Sequence, residues 1–160
     1  MKIVLAIDGS GFSKVAIEGL AGMSLPLGTE VCIINVFEDP MLTVPGAVPL
    51  GGTLGNYYEE ALSNSRKSAH AIVSEAAKAL KEKSNVLSIT TDVIDGFPKS
   101  AILEKAETFG AHLIVVGSQG HNAFSRFLLG SVSQSIALHA HCSVMIVRKR
   151  GMKGKNNKNE

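Results

Sequence analysis

The sequence predicts an α/β fold, a mostly parallel sheet with helices on both faces. Three observations predict it. Strand-like stretches alternate with helix-like stretches five times along the chain. The runs at 2–7, 31–36 and 112–116 are aliphatic at nearly every position, as in strands covered on both faces. The chain has 160 residues, 45% hydrophobic and 19% charged, which suits one domain with a sizeable core.

The elements follow in order. Lys2 to Ile7 is a buried strand, and Asp8-Gly9-Ser10-Gly11 turns the chain. A helix follows, with Val15, Ile17, Leu20 and Ala21 apolar, and ends near Gly22. Pro26 and Gly28 interrupt before the second buried strand, Val31 to Val36. Residues 37–56 hold three of the five prolines and four glycines, which reads as a long irregular loop with a role or mobility of its own. Tyr57 to Lys83 is a helix, because Leu62, Ala69, Ile72, Val73, Ala76 and Leu80 form one apolar stripe. Leu87 to Ile94 alternates, with Leu87, Ile89, Thr91 and Val93 on one face, and reads as a strand near an edge. Pro98 opens a helix that runs to Phe109, and Gly110 stops it. His112 to Val116 is another buried strand. Ser131 to His139 is a short helix, and Val144 to Val147 is a last strand at a sheet edge.

Charge and composition exclude several function classes. The net charge of +2 conceals a basic tail: residues 148–160 carry six basic groups and one acid. The body is therefore slightly acidic, which gives little support to nucleic-acid binding. Residues 1–148 are read as the folded domain, and 149–160 as a basic, disordered tail. No apolar run approaches the roughly 18 residues of a membrane span, and the N-terminus lacks the pattern of a secretory signal. The expectation is a cytoplasmic protein. Cys32 and Cys142 lie in apolar runs without Cys-x-x-Cys or Cys/His spacing, so both read as reduced core residues. No cluster of Asp, Glu or His marks a metal site, and His139 and His141 are poorly spaced for one.

In a doubly wound sheet, ligands bind beyond the carboxyl ends of the strands where the strand order reverses. Three glycines lie after the strand at 112–116, within Gly117-Ser118-Gln119-Gly120-His121 and Gly130-Ser131-Val132-Ser133, with two hydroxyls, Ser131 and Ser133, where the next helix begins. Glycines let backbone N–H groups approach an anion, and a helix N-terminus adds unpaired donors and the positive end of its dipole. Phosphates can be held this way with little formal positive charge. Arg126 is the only Lys or Arg between residues 106 and 147.

The same residues admit a structural reading. Ser131-Val132-Ser133-Gln134 has the spacing of a capping box, and Gly117 would serve a simple turn. Asp8 either begins the turn after the first strand or offers its carboxylate to a ribose or base. Val36 is core, or borders an adenine with its backbone. His121 is a solvent-exposed loop residue, a phosphate donor or, last in order, a general base. The Walker pattern and the G-x-S-x-G elbow are absent, and Gly9-Ser10-Gly11-Phe12-Ser13-Lys14 has lysine where a dinucleotide fingerprint needs its third glycine.

On these residues the chain resembles the universal stress protein family, in its ATP-binding branch. The motif G-x2-G-x9-G-[ST] is met by Gly117, Gly120, Gly130 and Ser131. Ile7-Asp8-Gly9-Ser10, Gly96-x-Pro98 and Phe127-Leu-Leu-Gly-Ser-Val132 also match, so the likeness covers about residues 1–148. The resemblance implies a single Rossmann-like domain with an open, parallel five-stranded sheet of order 3-2-1-4-5. It implies ATP between strands one and four and a homodimer joined through strand 144–147. Ala6, Ile7, Asp8 and Val36 would surround adenine and ribose. Gly117, Ser118, Gln119, Gly120, His121, Gly130, Ser131, Val132 and Ser133 would hold the phosphates, with Mg²⁺ or Mn²⁺ bound through ATP itself. Two residues depart from the family pattern: His112 where Asp is common, and Ser143 where Pro is common. The expected function is a nucleotide-binding stress-response regulator. The alternatives are a slow ATPase or phosphotransferase, for which no lysine-bearing motif or poised base is seen, and a nucleotide-free dimeric scaffold.

Overall fold

The computed structural model describes residues 1–39, 53–84, 87–121 and 128–148. Most of the proline- and glycine-rich stretch after Phe37, Arg126 and the basic tail lie outside the described residues. Five parallel strands form one sheet: β1 (Lys2–Ala6), β2 (Glu30–Phe37), β3 (Ser88–Asp95), β4 (Leu113–Gly117) and β5 (Ser143–Val147). Their order is β3-β2-β1-β4-β5. Four helices occur among the described residues: α1 (Gly11–Ala21), α2 (Thr53–Lys83), α3 (Pro98–Phe109) and α4 (Ser131–His139).

Successive side chains of a strand point to opposite faces, and β1 shows why its run has no polar position after Lys2. Ile3, Leu5 and Ile7 pack on one face with Ala16, Ile17 and Leu20 of α1 and Val73, Ala76 and Leu80 of α2. Val4 and Ala6 pack on the other with Ile102 and Ala106 of α3 and Ile136 of α4. β2 and β4 divide in the same way, with Val31, Ile33, Leu113 and Val115 facing the first pair of helices and Cys32, Ile34, Ile114 and Val116 the second. Each fully buried aliphatic side chain contributes about 1.5–3 kcal/mol.

The chain builds outward from β1 to β2 and β3, then returns to the other side of β1 to lay down β4 and β5. Right-handed crossovers run in opposite senses must place their helices on opposite faces. This reversal opens a crevice between the carboxyl ends of β1 and β4, because the loops after them lead to opposite sides of the sheet.

Local signals explain the ends of the elements. Ser10 caps α1, its hydroxyl accepting from the Ser13 N–H at 3.3 Å. Gly9 precedes it at φ +83°, a conformation that glycine adopts without strain. Pro98 stands in the first turn of α3, and Gly110 ends the helix in the left-handed conformation. His112 donates its N–H to the Lys2 carbonyl at 2.8 Å, and its Nδ1 accepts the Lys2 N–H at 3.0 Å. It thus supplies an acceptor where the resembled family commonly carries Asp.

Three expectations need correction. Helix α2 starts at Thr53, inside the stretch read as irregular. Glycine costs a helix about 1 kcal/mol, but extending an existing helix is far easier than nucleating one. Thr91, expected on the apolar face of β3, is exposed, because that strand is a sheet edge. Cys142 is only half-buried, just before β5, whereas Cys32 is in the core.

Candidate functional site

At the carboxyl end of β1 and β4 lies a cleft of about 560 Å³. All the residues proposed from the sequence border it except Ser118, which is buried beneath its edge. The floor is apolar. Ala6 ends β1 and Ile7 follows it, Ile34 and Val36 come from β2, and Val116 comes from β4. Ile102 and Pro98 of α3 close that side. The opposite side is the rim made by Gly117, Gln119, Gly120 and His121, facing Gly130, Ser131, Val132 and Ser133 at the start of α4.

Asp8 organises the edge beside β1. Its Oδ1 accepts from the Ser10 N–H at 3.0 Å and from the Ser13 hydroxyl at 2.5 Å. Its Oδ2 accepts from the His121 N–H at 3.2 Å. Burial pushes the carboxyl up, but hydrogen bonds from Ser10 and Ser13, with the charge of His121, outweigh it and hold the pKa below the ordinary value. The turn role of Asp8 is therefore realised, and its carboxylate also reaches the cleft. Buried Asn35 donates to the Ile7 carbonyl at 2.7 Å, which fixes the backbone at the floor.

The rim is tied together from within. Ser118 donates its N–H to the Val147 carbonyl at 2.9 Å, anchoring the turn to β5. Its carbonyl accepts from the Gly130 N–H at 2.9 Å and lies 3.0 Å from the Ser133 hydroxyl. That hydroxyl also lies 2.9 Å from the Gly130 carbonyl, so its proton serves the protein's own backbone. The Gln119 side-chain amide donates to the Leu128 carbonyl at 2.6 Å. These bonds set the mouth of the cleft.

The capping-box reading is not realised. Gly130 is the N-cap of α4, and among the described residues no side chain makes a capping hydrogen bond there. Ser131 stands one position too late to cap, and the Gln134 N–H bonds the Gly130 carbonyl at 2.9 Å in the ordinary helical way. The amides of Ser131, Val132 and Ser133 therefore keep no intrahelical partner and stand at the positive end of the helix dipole, beside the cleft.

The glycines require a different explanation from the one the sequence suggested. A Cβ on Gly117 would lie 2.9 Å from the Phe12 backbone, one on Gly120 2.7 Å from Asp8 Oδ2, and one on Gly130 3.2 Å from the Gln119 Cα. The space their missing side chains leave is filled by the protein itself. They shape the cleft by letting its walls touch.

Ser13, Ile34, Pro98, Ile102, Val116, Leu128 and Leu129 also border the cleft and were not singled out. Ile34 was within reach of a simple rule, since it lies two residues before Val36 on the same strand face. Among the described residues no group of three His, Cys, Asp or Glu is arranged to hold a metal ion. No described helix is long and apolar enough to cross a membrane.

Fold and site together define a doubly wound α/β domain with a ligand cleft at its topological switch point. Comparison with known proteins then gives the family. The model of the universal stress protein family matches residues 1–148, and the chain belongs to that family. It is 32% identical over 154 residues to a putative universal stress protein of Staphylococcus epidermidis, covering 94% of this chain and 85% of that one. It is 29% identical over 147 residues to universal stress protein YxiE of Bacillus subtilis, covering 92% and 98%. Among solved structures, hypothetical protein MJ0577 superposes with a TM-score of 0.78 at 19% identity, covering 94% of this chain and 97% of that one. A universal stress protein in complex with cAMP superposes at 0.62 with 24% identity, covering 92% and 96%. A family protein of Arabidopsis thaliana with AMP bound superposes at 0.60 with 14% identity, covering 98% and 97%.

Proposed function

We propose that this protein binds an adenine nucleotide, ATP foremost, and acts as a regulatory homodimer rather than as an efficient enzyme. The observation that carries the reading is the division of one cleft into two chemically unlike halves. Ala6, Ile7, Ile34, Val36 and Val116 make an apolar surface suited to a flat purine. The amides of Ser131, Val132 and Ser133 make an anion-seeking surface facing it. Asp8 Oδ2, on the side that borders the cleft, accepts the long His121 N–H bond of 3.2 Å, and its carboxylate is an acceptor suited to a ribose hydroxyl. That two proteins of this fold hold cAMP and AMP supports an adenine nucleotide as the ligand class. Mg²⁺ or Mn²⁺ would reach the complex through the phosphates.

The homodimer rests on the sheet edges. β3 is protected by polar side chains, including Asp92 paired with Lys105 at 2.7 Å. β5 reads Ser-Val-Met-Ile-Val, half-buried and without charge, and no described strand pairs with its outer side. Pairing with a second copy across a two-fold axis would cover it.

The direct test is to denature freshly purified protein, identify any released nucleotide, and titrate the stripped protein with ATP, ADP and AMP. Release of an adenine nucleotide, or saturable binding, is the expected result. No release together with no binding would overturn the reading. A turnover assay with Mg²⁺ then separates a binder from an ATPase.

A further inference from the structure

We propose that the basic segment after β5 supplies the positive charge that the cleft walls lack, so that Lys149, Arg150, Lys153, Lys155 and Lys158 grade nucleotide affinity by the number of phosphates. The inference rests on the nucleotide reading above. It adds to that site a segment beyond residues 1–148, the part of the chain that the family's model matches. The cleft itself sets the need. Neither Lys nor Arg is among its described lining residues, and Asp8 contributes a carboxylate there. The amides at the start of α4 offer only the partial positive charge of a helix end.

The sheet topology delivers the charge to that place. All five strands are parallel, so the carboxyl end of β5 lies at the same end of the sheet as the cleft. Val147, the last residue of β5, is the register partner of Gly117, the first residue of the rim, and adjacent strands lie about 4.8 Å apart. The Val147 carbonyl accepts the Ser118 N–H at 2.9 Å. The chain therefore leaves the sheet against the rim. An extended chain spans at most about 3.3–3.6 Å per residue, which keeps Lys149 and Arg150 within about 11 Å of Val147. The stretch on to Lys158 is long enough to cross a cleft of about 560 Å³.

Charge complementarity selects the occupant. Residues 148–160 carry six bases and one acid, whereas residues 1–147 carry ten bases and thirteen acids. The densest positive charge of the chain is thus tethered beside the cleft of a slightly acidic body. Tethering holds it at an effective concentration of about the mM range, without a separate partner to recruit. A nucleotide in the cleft adds its phosphates to the Asp8 carboxylate and makes that rim strongly negative. Exposed charge pairs are individually weak and are screened by salt, so the effect needs several bases and fades as ionic strength rises. Arg126 lies outside the described residues and is common to both proteins compared below, so it does not enter their difference.

The test compares the wild-type chain with a full-length variant carrying Lys149→Gln, Arg150→Gln, Lys153→Gln, Lys155→Gln and Lys158→Gln. Affinities for ATP, AMP and adenosine are measured by calorimetry at fixed Mg²⁺, in about 0.1 M and about 1 M salt, where charges are screened over about 10 Å and about 3 Å. At the lower salt the variant should lose about tenfold in affinity for ATP, about twofold for AMP and nothing for adenosine. At the higher salt the two proteins should converge. Trypsin cleaves after Lys and Arg, so saturating ATP should also slow cleavage of wild type within residues 149–158 several-fold, and adenosine should not. Equal ATP affinity of the two proteins at both salts, an equal loss for ATP and adenosine, or tail cleavage indifferent to ATP would overturn the inference and leave the nucleotide reading intact. A wild-type protein that binds no nucleotide at either salt would overturn both.

Discussion

Replacing Gly120 by alanine would build a Cβ 2.7 Å from Oδ2 of Asp8, closer than such atoms come in real proteins. The carboxylate must retreat by several tenths of an ångström. It is not free to do so, because Oδ1 is held by Ser10 and Ser13, and the His121 N–H bond on Oδ2 is already 3.2 Å long. The retreat breaks that last bond. A hydrogen bond to a charged group is worth about 1.5–3 kcal/mol, and its length and rim position put this one near the lower end. Stiffening the unfolded chain by a Gly→Ala change returns about 0.4–1 kcal/mol. The net destabilisation is about 1 kcal/mol, read as a fall in Tm of about 2–4 °C for a chain of this size. In an Asp8→Ala background the oxygen is gone, and among the described residues nothing else lies within 4 Å of the new Cβ apart from the Asp8 carboxyl carbon. There Gly120→Ala should be neutral or slightly stabilising. Urea unfolding of the four proteins in this double-mutant cycle gives the coupling, expected at about 1.5 kcal/mol. Equal costs of Gly120→Ala in the two backgrounds would refute the idea that this glycine exists to admit Asp8.

Other outcomes follow from the same geometry. Gly117→Ala should cost more than Gly120→Ala, about 2–3 kcal/mol by denaturant unfolding, because its Cβ meets the Phe12 backbone at 2.9 Å. Gly11→Ala, whose Cβ would meet nothing within 4 Å among the described residues, should be neutral or stabilise by up to about 1 kcal/mol. Because the folded-state pKa of Asp8 is depressed, its stabilisation is fully present above the unfolded value of about 3.9 and is lost as the pH falls through the folded value. The stability gap between wild type and Asp8→Asn, followed by thermal melts, should therefore narrow on acidification. Ile114→Ala, at a fully buried position in β4, should cost about 2–5 kcal/mol. Ile146→Lys or Val144→Pro on the β5 edge should lower the sedimenting mass of a dimer to that of the monomer, and unchanged mass would count against pairing through that strand.

The sequence by itself determined the elements and their class. Burial on both faces leaves a mark that needs no knowledge of the partners, so the nearly continuous aliphatic runs of β1, β2 and β4 already distinguish central strands from the mixed pattern of β3. Pro98 and Gly110 bracket α3 for equally local reasons, a fixed φ at one end and a left-handed residue at the other. The position of the cleft was also legible, because alternating strands and helices imply a switch point. Only the tertiary structure decided what the conspicuous residues at that point do. Ser131 looked like a cap until the chain made Gly130 the cap. Ser133 looked like a free hydroxyl until the Ser118 and Gly130 carbonyls came within its reach. Gly117 and Gly120 read as openings for an anion, yet each is needed where Phe12 or Asp8, more than a hundred residues earlier in the chain, comes into contact. Such contacts leave no periodic trace. They depend on which distant segments the sheet sets side by side, and that follows from the packing of the whole chain.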